Sequence, residues 1–383
     1  MTSTARFEAA FPETTTVAIV GAGPSGLTLA ITLAEAGIDF VLLDKLAEGA
    51  NTSRAGVVHA RTLEVLEQLG TAEQLIDTGL RLNRFAVRDG ARPLVQLSFA
   101  GLPTKYPFAL LTPQSTTERV LRERLEALGG TVHRPYQVAD LAQDADGVVL
   151  TMSTGERLRA AYAVGADGMH STVREAAGIG FTGGSYDESF VLADVRMDWA
   201  PGAEEVSLTL GGDGVFVVAP LPGDGYRVVA VVDQARAQAA PDLETVRRLV
   251  EERAPGQAVV HEVRWSSRFR VHHRVADRYR AGRVFVIGDA AHVHSPVGGQ
   301  GMNTGMQDGY ALGRAFATGD LDGYEVRRRP VAQRVVAFTD RMTRIATATG
   351  AGRHLRNAVL PVLGRTPAFR RRMAYEIAEL SYR

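Results

Sequence analysis

The sequence predicts an α/β protein: a Rossmann-like dinucleotide-binding domain, interrupted by a mainly antiparallel β-sheet domain and followed by a C-terminal helical segment. Three observations predict it. An apolar, β-branched run, Val17–Val20, ends in Gly21-Ala22-Gly23-Pro24-Ser25-Gly26, and a helical pattern follows. A second buried-strand run, Arg283–Ile287, ends in Gly288-Asp289. Between them, residues 180–270 are mostly strand-like, with one helix near 242–254.

The G-x-G-x-x-G turn has a distinct use for each glycine. Gly21 permits the turn, Gly23 lets a pyrophosphate approach the backbone, and Gly26 lets the helix pack on the strand. The helix N-terminus then offers free amides and its positive end to phosphate. Phe40–Leu43 reads as the next strand, and Asp44 stands 18 residues after Gly26, where a carboxylate would accept from ribose hydroxyls. Taken alone, the motif also fits a glycine turn that merely closes a βα unit, and it does not choose between FAD and NAD.

Residues 45–54 read as a loop. Helices are expected over 60–70 and from there to Gly79, and strands over 80–110. Ser115 and Glu118 fit a capping box for a helix that Gly129 ends. Short strands over 131–165 lead into Gly165-Ala166-Asp167-Gly168-Met169-His170-Ser171, an Asp-Gly turn with Ser171 as the cap of the next helix. The rest of the chain, from about 304, reads as helices with many arginines on solvated faces or an oligomer contact.

The bulk numbers exclude several classes. The 383 residues suffice for two joined domains with a real core, and 45% apolar with 22% charged residues is ordinary for a globular chain. Lys+Arg and Asp+Glu are 43 each, so no global charge favours nucleic acid or an anionic membrane. Cysteine is absent, which removes disulfides, thiolate metal sites and a redox dithiol. His292 and His294 alone fall short of the roughly three or four ligands of a zinc site, so no metal is expected. Residues 1–15 have no apolar core of a secretory signal and are expected to be a loose arm. No run approaches the roughly 20 apolar residues of a membrane span, and a cytoplasmic protein is expected.

Four pieces stand in one order: G-A-G-P-S-G, Arg54, G-A-D-G-M-H-S-x-x-R and G-D-A-A-H…P-x-G-G-Q-G-M-N. Over about residues 16–340 the set resembles the p-hydroxybenzoate hydroxylase-like, single-component FAD-dependent aromatic monooxygenases, with the phenol and aromatic-polyketide hydroxylase branch closest. The resemblance implies that Gly21, Gly23, Pro24, Ser25 and Gly26 hold the FAD pyrophosphate and that Asp44, followed by Lys45, holds the adenosine ribose. The family more often has Glu at position 44. Arg54 matches the arginine beside flavin and pyrophosphate, Gln114 and Asp289 (after Gly288) the ribityl contacts, and Asp167-Gly168 a pair linked to flavin and nicotinamide use. Gly298, Gly299, Gly301, Met302 and Asn303 would lie along the isoalloxazine, with Pro296 on the substrate side. A helix N-terminus there favours the negative charge of reduced flavin by roughly 0.3–2 kcal/mol.

The implied domains are a FAD-binding domain of 16–79, 112–180 and 272–320, a substrate-binding β domain of 80–111 and 181–271, and C-terminal helices over 321–383. The implied activity is hydroxylation of a phenolic or polycyclic polyketide-type ring through a flavin C4a-hydroperoxide, with NADPH or NADH and O2 as co-substrates. Arg54, Pro296 and His294 are the candidate catalytic residues. Tyr106, Tyr226, His292 and His294 are candidates for the phenol's base, and Arg196, Arg227 and Arg268 for a substrate carboxylate. A small aromatic molecule is the expected partner, with no nucleic acid or membrane, and monomer or homodimer both stand open. A same-fold epoxidase or prenyl reductase, or a non-turnover flavin-binding partner protein, is the alternative. A halogenase is disfavoured because Trp199 and Trp265 cannot form its W-x-W-x-I-P motif. The thioredoxin-like C-terminal domain of many phenol hydroxylases is not expected in these 383 residues, which leaves the branch and a dimer built on that domain open.

Overall fold

Thr14–Val20 is a central strand, paired in parallel with Phe40–Leu43 on one side and Arg157–Gly165 on the other. The computed structural model describes residues 11–49, 55–211, 214–232, 240–348 and 350–382. The full sheet runs Arg280–Ala281, Val284–Val286, Arg157–Gly165, Thr14–Val20, Phe40–Leu43, Val132–His133. Val148–Met152 and Val138–Gln143 extend it antiparallel from Arg157–Gly165. Both faces of the central strand are covered, so every residue from Val17 to Val20 is buried. Val17 and Ile19 pack under helices, while Ala18 and Val20 pack against Leu141, Leu150 and Val173.

The helix Pro24–Glu35 lies along the helix Gly301–Thr318, and glycines set their distance. A Cβ would meet Ser25 Oγ at 2.4 Å from Gly305, Ser25 O at 2.4 Å from Gly309, and Thr32 Cβ at 2.6 Å from Gly313. Three glycines at four-residue spacing thus form a groove that admits the neighbouring backbone. Because position 25 meets 305 and 309 while 32 meets 313, the two helices run parallel. Their N-termini therefore point to the same end of the sheet.

The second sheet runs His292–Val293, Ala258–Ala276, Phe181–Trp199, Gly225–Val232, Gly214–Pro220, Val206–Gly211, Arg84–Asp89, Arg92–Ser98. Only the pairing of Val206–Gly211 with Arg84–Asp89 is parallel. Alternation sorts its faces. Val191, Ala193, Val195 and Met197 pack on Val246 and Val250 of the helix Leu243–Arg253, while Phe190 belongs to the main core.

Local readings differ from the structure in four places. The arm expected over 1–15 is shorter: Thr14 and Thr15 already pair with Arg159 and Ala160, and Phe11 lies 4.5 Å from the Tyr136 ring. The expected capping box is not formed, because the helix starts earlier, at Gln114, with Pro113 in the cap position. Glu118 instead accepts from Gln114 Nε2 at 2.8 Å, while Ser171 does cap its helix, accepting from Arg174 N at 2.9 Å. Leu80–Leu82 and Ala109–Leu111 form a small third sheet with Val57–Val58, and His292–Val293 joins the second sheet. Among the described residues, no helix is long and apolar enough to cross a membrane.

Candidate cofactor and substrate site

The first glycine turn closes on backbone, its own and that of Ala166. At Gly21, φ is +107° and a Cβ would meet Ala166 O at 2.2 Å; at Gly26, a Cβ would meet Gly21 O at 1.9 Å. Gly23 is the exception, with nothing among the described residues within 4 Å of its Cβ position. A side chain there would enter space that the described residues leave open, the kind of space that a close-approaching phosphate requires. Pro24 sits at the first helical position, where its missing N–H costs nothing. The first helical bond runs from Leu27 N to Gly23 O at 2.9 Å, so the amides of Ser25 and Gly26 precede it. Ser25 Oγ is wedged between Gly288 and Gly305 and faces protein.

Asp44 follows its strand as expected, and its carboxylate also braces the turn. Oδ2 accepts from Ala22 N at 2.9 Å and Oδ1 from Leu46 N at 2.8 Å; Arg134 Nη2 stands 3.9 Å away. Lys45 beside it is exposed. Arg54 lies outside the described residues. Gln114 anchors the segment that follows: Oε1 accepts from Ala55 N at 3.2 Å, and Gln114 N donates to Ala55 O at 3.1 Å.

Asp167 accepts from Val173 N at 3.2 Å through Oδ2, while Oδ1 is buried with no partner among the described residues. Burial pushes its pKa up. Gly168 has a positive φ of +82° and open space at its Cβ position. Gly288 and Asp289 occupy a short 3₁₀ turn after Val284–Val286; Gly288 is buried against Ser25 and Asp289 is exposed.

The second glycine turn is held from outside. His59 Nε2 donates to Gly298 O at 2.8 Å, and His59 N donates to Asn303 Oδ1 at 2.8 Å. Asn303 Nδ2 donates to both Val57 O and Gly299 O at 2.9 Å. The Asn303 side chain is thus spent on protein, and what it can offer a ligand is its amide. Thr304 N makes the first bond of the helix, to Gln300 O at 2.9 Å, which leaves the amides of Gly301, Met302 and Asn303 ahead of it. A Cβ at Gly299 would meet Val57 Cγ1 at 2.3 Å, and Gly298 has a φ of +93°. Gly301 lies one turn ahead of Gly305, so this helix end projects about 6 Å beyond the other.

Around this turn sits a buried polar network that the sequence did not disclose. Asp308 Oδ2 accepts from His292 Nε2 and Oδ1 from Arg328 Nε, both at 2.6 Å and all buried. Burial opposes the Asp308 charge, but Arg328 and His292 hold its pKa below the usual range. Gln307 Nε2 donates to Glu379 Oε2 at 2.5 Å and to Thr62 Oγ1 at 3.1 Å. Glu379 is fully buried at φ +61°, and burial pushes its pKa up to about 8. His59, Arg328 and Glu379 lie in stretches with no motif, so only the fold brings them here.

Of the four candidates for the phenol's base, three stand elsewhere. His292 Nε2 is bonded to Asp308. Tyr106 lies beside Lys105 and Glu67, and Tyr226 packs toward the Leu243–Arg253 helix; burial raises both phenol pKa values. His294 differs. Its Nδ1 faces Ser295 O at 3.0 Å and must carry the proton, since a carbonyl only accepts. Nε2 is then a bare lone pair, buried with no partner among the described residues and 3.7 Å from the Gly301 Cβ position. Burial, with His292 nearby, lowers the His294 pKa to about 4. Pro296 is half-buried beside it.

The second sheet turns one face to this end. Phe190 and Phe269 stack at 6.1 Å, and Leu192, Val229 and Val217 form the next cross-strand row. In the row beyond, Arg227 Nε and Nη2 donate to Asp194 at 2.7 and 2.8 Å, and Nη1 donates to Ala55 O at 2.6 Å. Arg227 therefore latches the sheet to the nucleotide domain and is not a receptor for a substrate carboxylate. Arg196 is largely exposed beside Glu262, and Arg268 donates to Ser189 Oγ at 3.1 Å.

The model of the family described as "FAD binding domain" matches residues 14–339. The chain is 35% identical to pentachlorophenol 4-monooxygenase of Sphingobium chlorophenolicum, covering 96% of this chain and 70% of that protein. It is 40% identical to 6-methylpretetramide 4-monooxygenase of Streptomyces rimosus, covering 90% of this chain and 63% of that protein. The chain thus spans 63% to 70% of the length of these two relatives. Among solved structures, p-nitrophenol 4-monooxygenase of Pseudomonas putida superposes with a TM-score of 0.86 at 27% identity, covering 96% of this chain and 98% of that one. An anhydrotetracycline hydroxylase of Streptomyces rimosus superposes at 0.80 with 36% identity, covering 96% of this chain and 76% of that one.

Proposed function

This chain belongs to the FAD-binding-domain family of flavin-dependent aromatic monooxygenases, and from that premise we propose that it hydroxylates a phenolic or polycyclic aromatic ring with O2 and NAD(P)H. The observation that carries the reading is the pair of parallel helices whose N-termini open at one end of the sheet, each behind a glycine turn. Two positive ends at one end of the sheet, with five amides that precede the first helical bonds among the described residues, suit an anionic dinucleotide bearing a redox ring. When bound, FAD would supply electron transfer from NAD(P)H and the activation of O2.

The protein's own share is binding, orientation and exclusion of water. Gly23, Ser25 and Gly26 receive the pyrophosphate, and Asp44 the ribose. Asp289 and Gln114 flank the chain that joins pyrophosphate to ring. The amides of Gly301, Met302 and Asn303 favour negative charge at the ring edge by roughly 0.3–2 kcal/mol. Phe190, Leu192, Val217 and Val229 form an apolar wall that keeps water out and orients the ring by shape. His294 Nε2 accepts the phenol O–H and so draws electron density toward the ring carbon to be hydroxylated; with a pKa of about 4 it acts as a hydrogen-bond acceptor at neutral pH. No carboxylate or ammonium on that wall requires a charged substrate.

The test is an absorbance spectrum of the purified protein, followed by anaerobic NADH or NADPH addition with and without a panel of phenols. Flavin bands that bleach faster with one phenol, and a hydroxylated product in air, are expected. A protein that takes up no flavin even with added FAD would refute the reading.

A further inference from the structure

Beyond the wall just described, the same sheet face continues to a cleft that no step of the proposed reaction uses. Trp265, Asp194 and Arg227 are direct cross-strand neighbours in one row. Trp265 is two residues along its strand from Ser267, which opposes Leu192, so its backbone lies about 7 Å along the strand from the row that holds Leu192. A cleft of about 270 Å³ opens there, between the sheet and the nucleotide domain, lined by Trp265, Pro113, Thr116, Leu221 and Pro222 with Asp194 at its back.

The chemistry of the cleft is that of an uncharged planar ring. Trp265 is half-buried, and the Arg227 guanidinium stands 6.0 Å from its ring centroid. The two charges at the back cancel, because Arg227 and Asp194 form a bidentate pair. Arg264 at the lip is met by Asp224 at 2.7 Å and Glu262 at 3.5 Å. An anionic ligand would find no uncompensated cation among these residues, whereas prolines, Leu221 and an indole offer stacking area.

We propose that this cleft is an outer subsite that stacks the neutral aromatic substrate on Trp265, separated from the reaction wall by the Asp194–Arg227 pair. The inference rests on the proposed activity for the identity of its ligand. Passage inward then requires the ring to move past a latch that also holds Ala55.

The chain carries only two tryptophans, Trp199 and Trp265, which makes the test direct. Trp199 is buried on the opposite face, against the Leu243–Arg253 helix. In FAD-loaded Trp199→Phe protein, emission reports Trp265 alone. At pH 6, where 4-nitrophenol is mostly neutral, it should shorten that emission lifetime saturably, and NAD+, which cannot reduce the flavin, should leave it unchanged. Trp265→Leu should weaken 4-nitrophenol binding roughly three- to ten-fold with the flavin spectrum and kcat kept, and Trp265→Phe should restore part of it. An unchanged lifetime while the flavin spectrum registers the phenol would overturn the subsite. So would a lifetime that responds to NAD+, which would give the cleft to the dinucleotide. Saturable quenching without flavin response or product would uphold the subsite and sink the hydroxylase reading instead.

Discussion

The two glycine turns, Gly21–Gly26 and Gly298–Gly301, open at the same end of the sheet and are held by opposite means. The first is closed mainly by backbone, with Gly21 N donating to Leu43 O at 2.8 Å and Gly26 resting on Gly21 O, and one adjacent side chain, Asp44, accepts from Ala22 N. The second hangs on side chains from distant segments: His59 to Gly298, Asn303 to Val57, Gln300 to Glu376 O. The first turn is therefore rigid by construction, and the second is only as firm as the buried groups around it. Under the proposed function, a ring that is reduced and then oxygenated would have more use for adjustment at the second turn than the pyrophosphate would at the first.

The largest effect on stability is expected from the base of the second turn's helix. Asp308→Asn leaves Arg328 buried without its countercharge, and breaking one partner of such a pair costs about 3–5 kcal/mol. Chemical denaturation of the FAD-free protein should show the midpoint fall with its slope unchanged. A loss below about 1 kcal/mol would mean that the second turn does not depend on this charge network.

This contrast also explains what was legible in the sequence. The first turn announced itself because six consecutive residues make it, and Asp44 followed at the end of the next strand. The second turn was legible as a glycine-rich helix start, but its support was not. His59 and Asn303 stand 244 positions apart, and nothing in either neighbourhood marks the bond between them. Arg227 read as a candidate ligand because a sequence shows an arginine but not its partner; only the strand register puts Asp194 beside it. The capping box failed because Pro113 and the Gln114–Ala55 bond start the helix before Ser115.

Acid should undo the second turn. Burial lowers His59 and His294 to about 4, so the folded state keeps both neutral while the unfolded chain protonates near 6.5. Their contribution is thus present above about 6.5 and lost as pH falls through about 4. Glu379 has the reverse sign: its raised pKa favours folding at low pH, and that contribution is lost as pH rises from about 4.5 through about 8. Stability against pH should form a dome with both flanks set by groups around one turn. His59→Gln should flatten the acid flank by about 3 kcal/mol, read from denaturation midpoints between pH 4 and 7. An acid flank of unchanged steepness would detach His59 from the turn's stability.

The smallest effect on stability is the one that isolates binding from folding. Gly23→Ala adds a methyl where no atom of the described residues lies within 4 Å, at a φ of −76° that alanine accepts, so thermal stability of the FAD-free protein should stay within about 1 kcal/mol. Gly26→Ala, three residues on, drives the same methyl to 1.9 Å from Gly21 O and should destabilise by about 3 kcal/mol or more. If the open space at Gly23 is the pyrophosphate cradle, its alanine variant should fold normally and lose FAD affinity by at least tenfold, measured by flavin fluorescence on titration. A Gly23→Ala protein that still holds FAD at full strength would move the pyrophosphate elsewhere. The backbone fit of the first turn would then be a matter of folding alone, and the difference between the two turns would lie in how each is built rather than in what each binds.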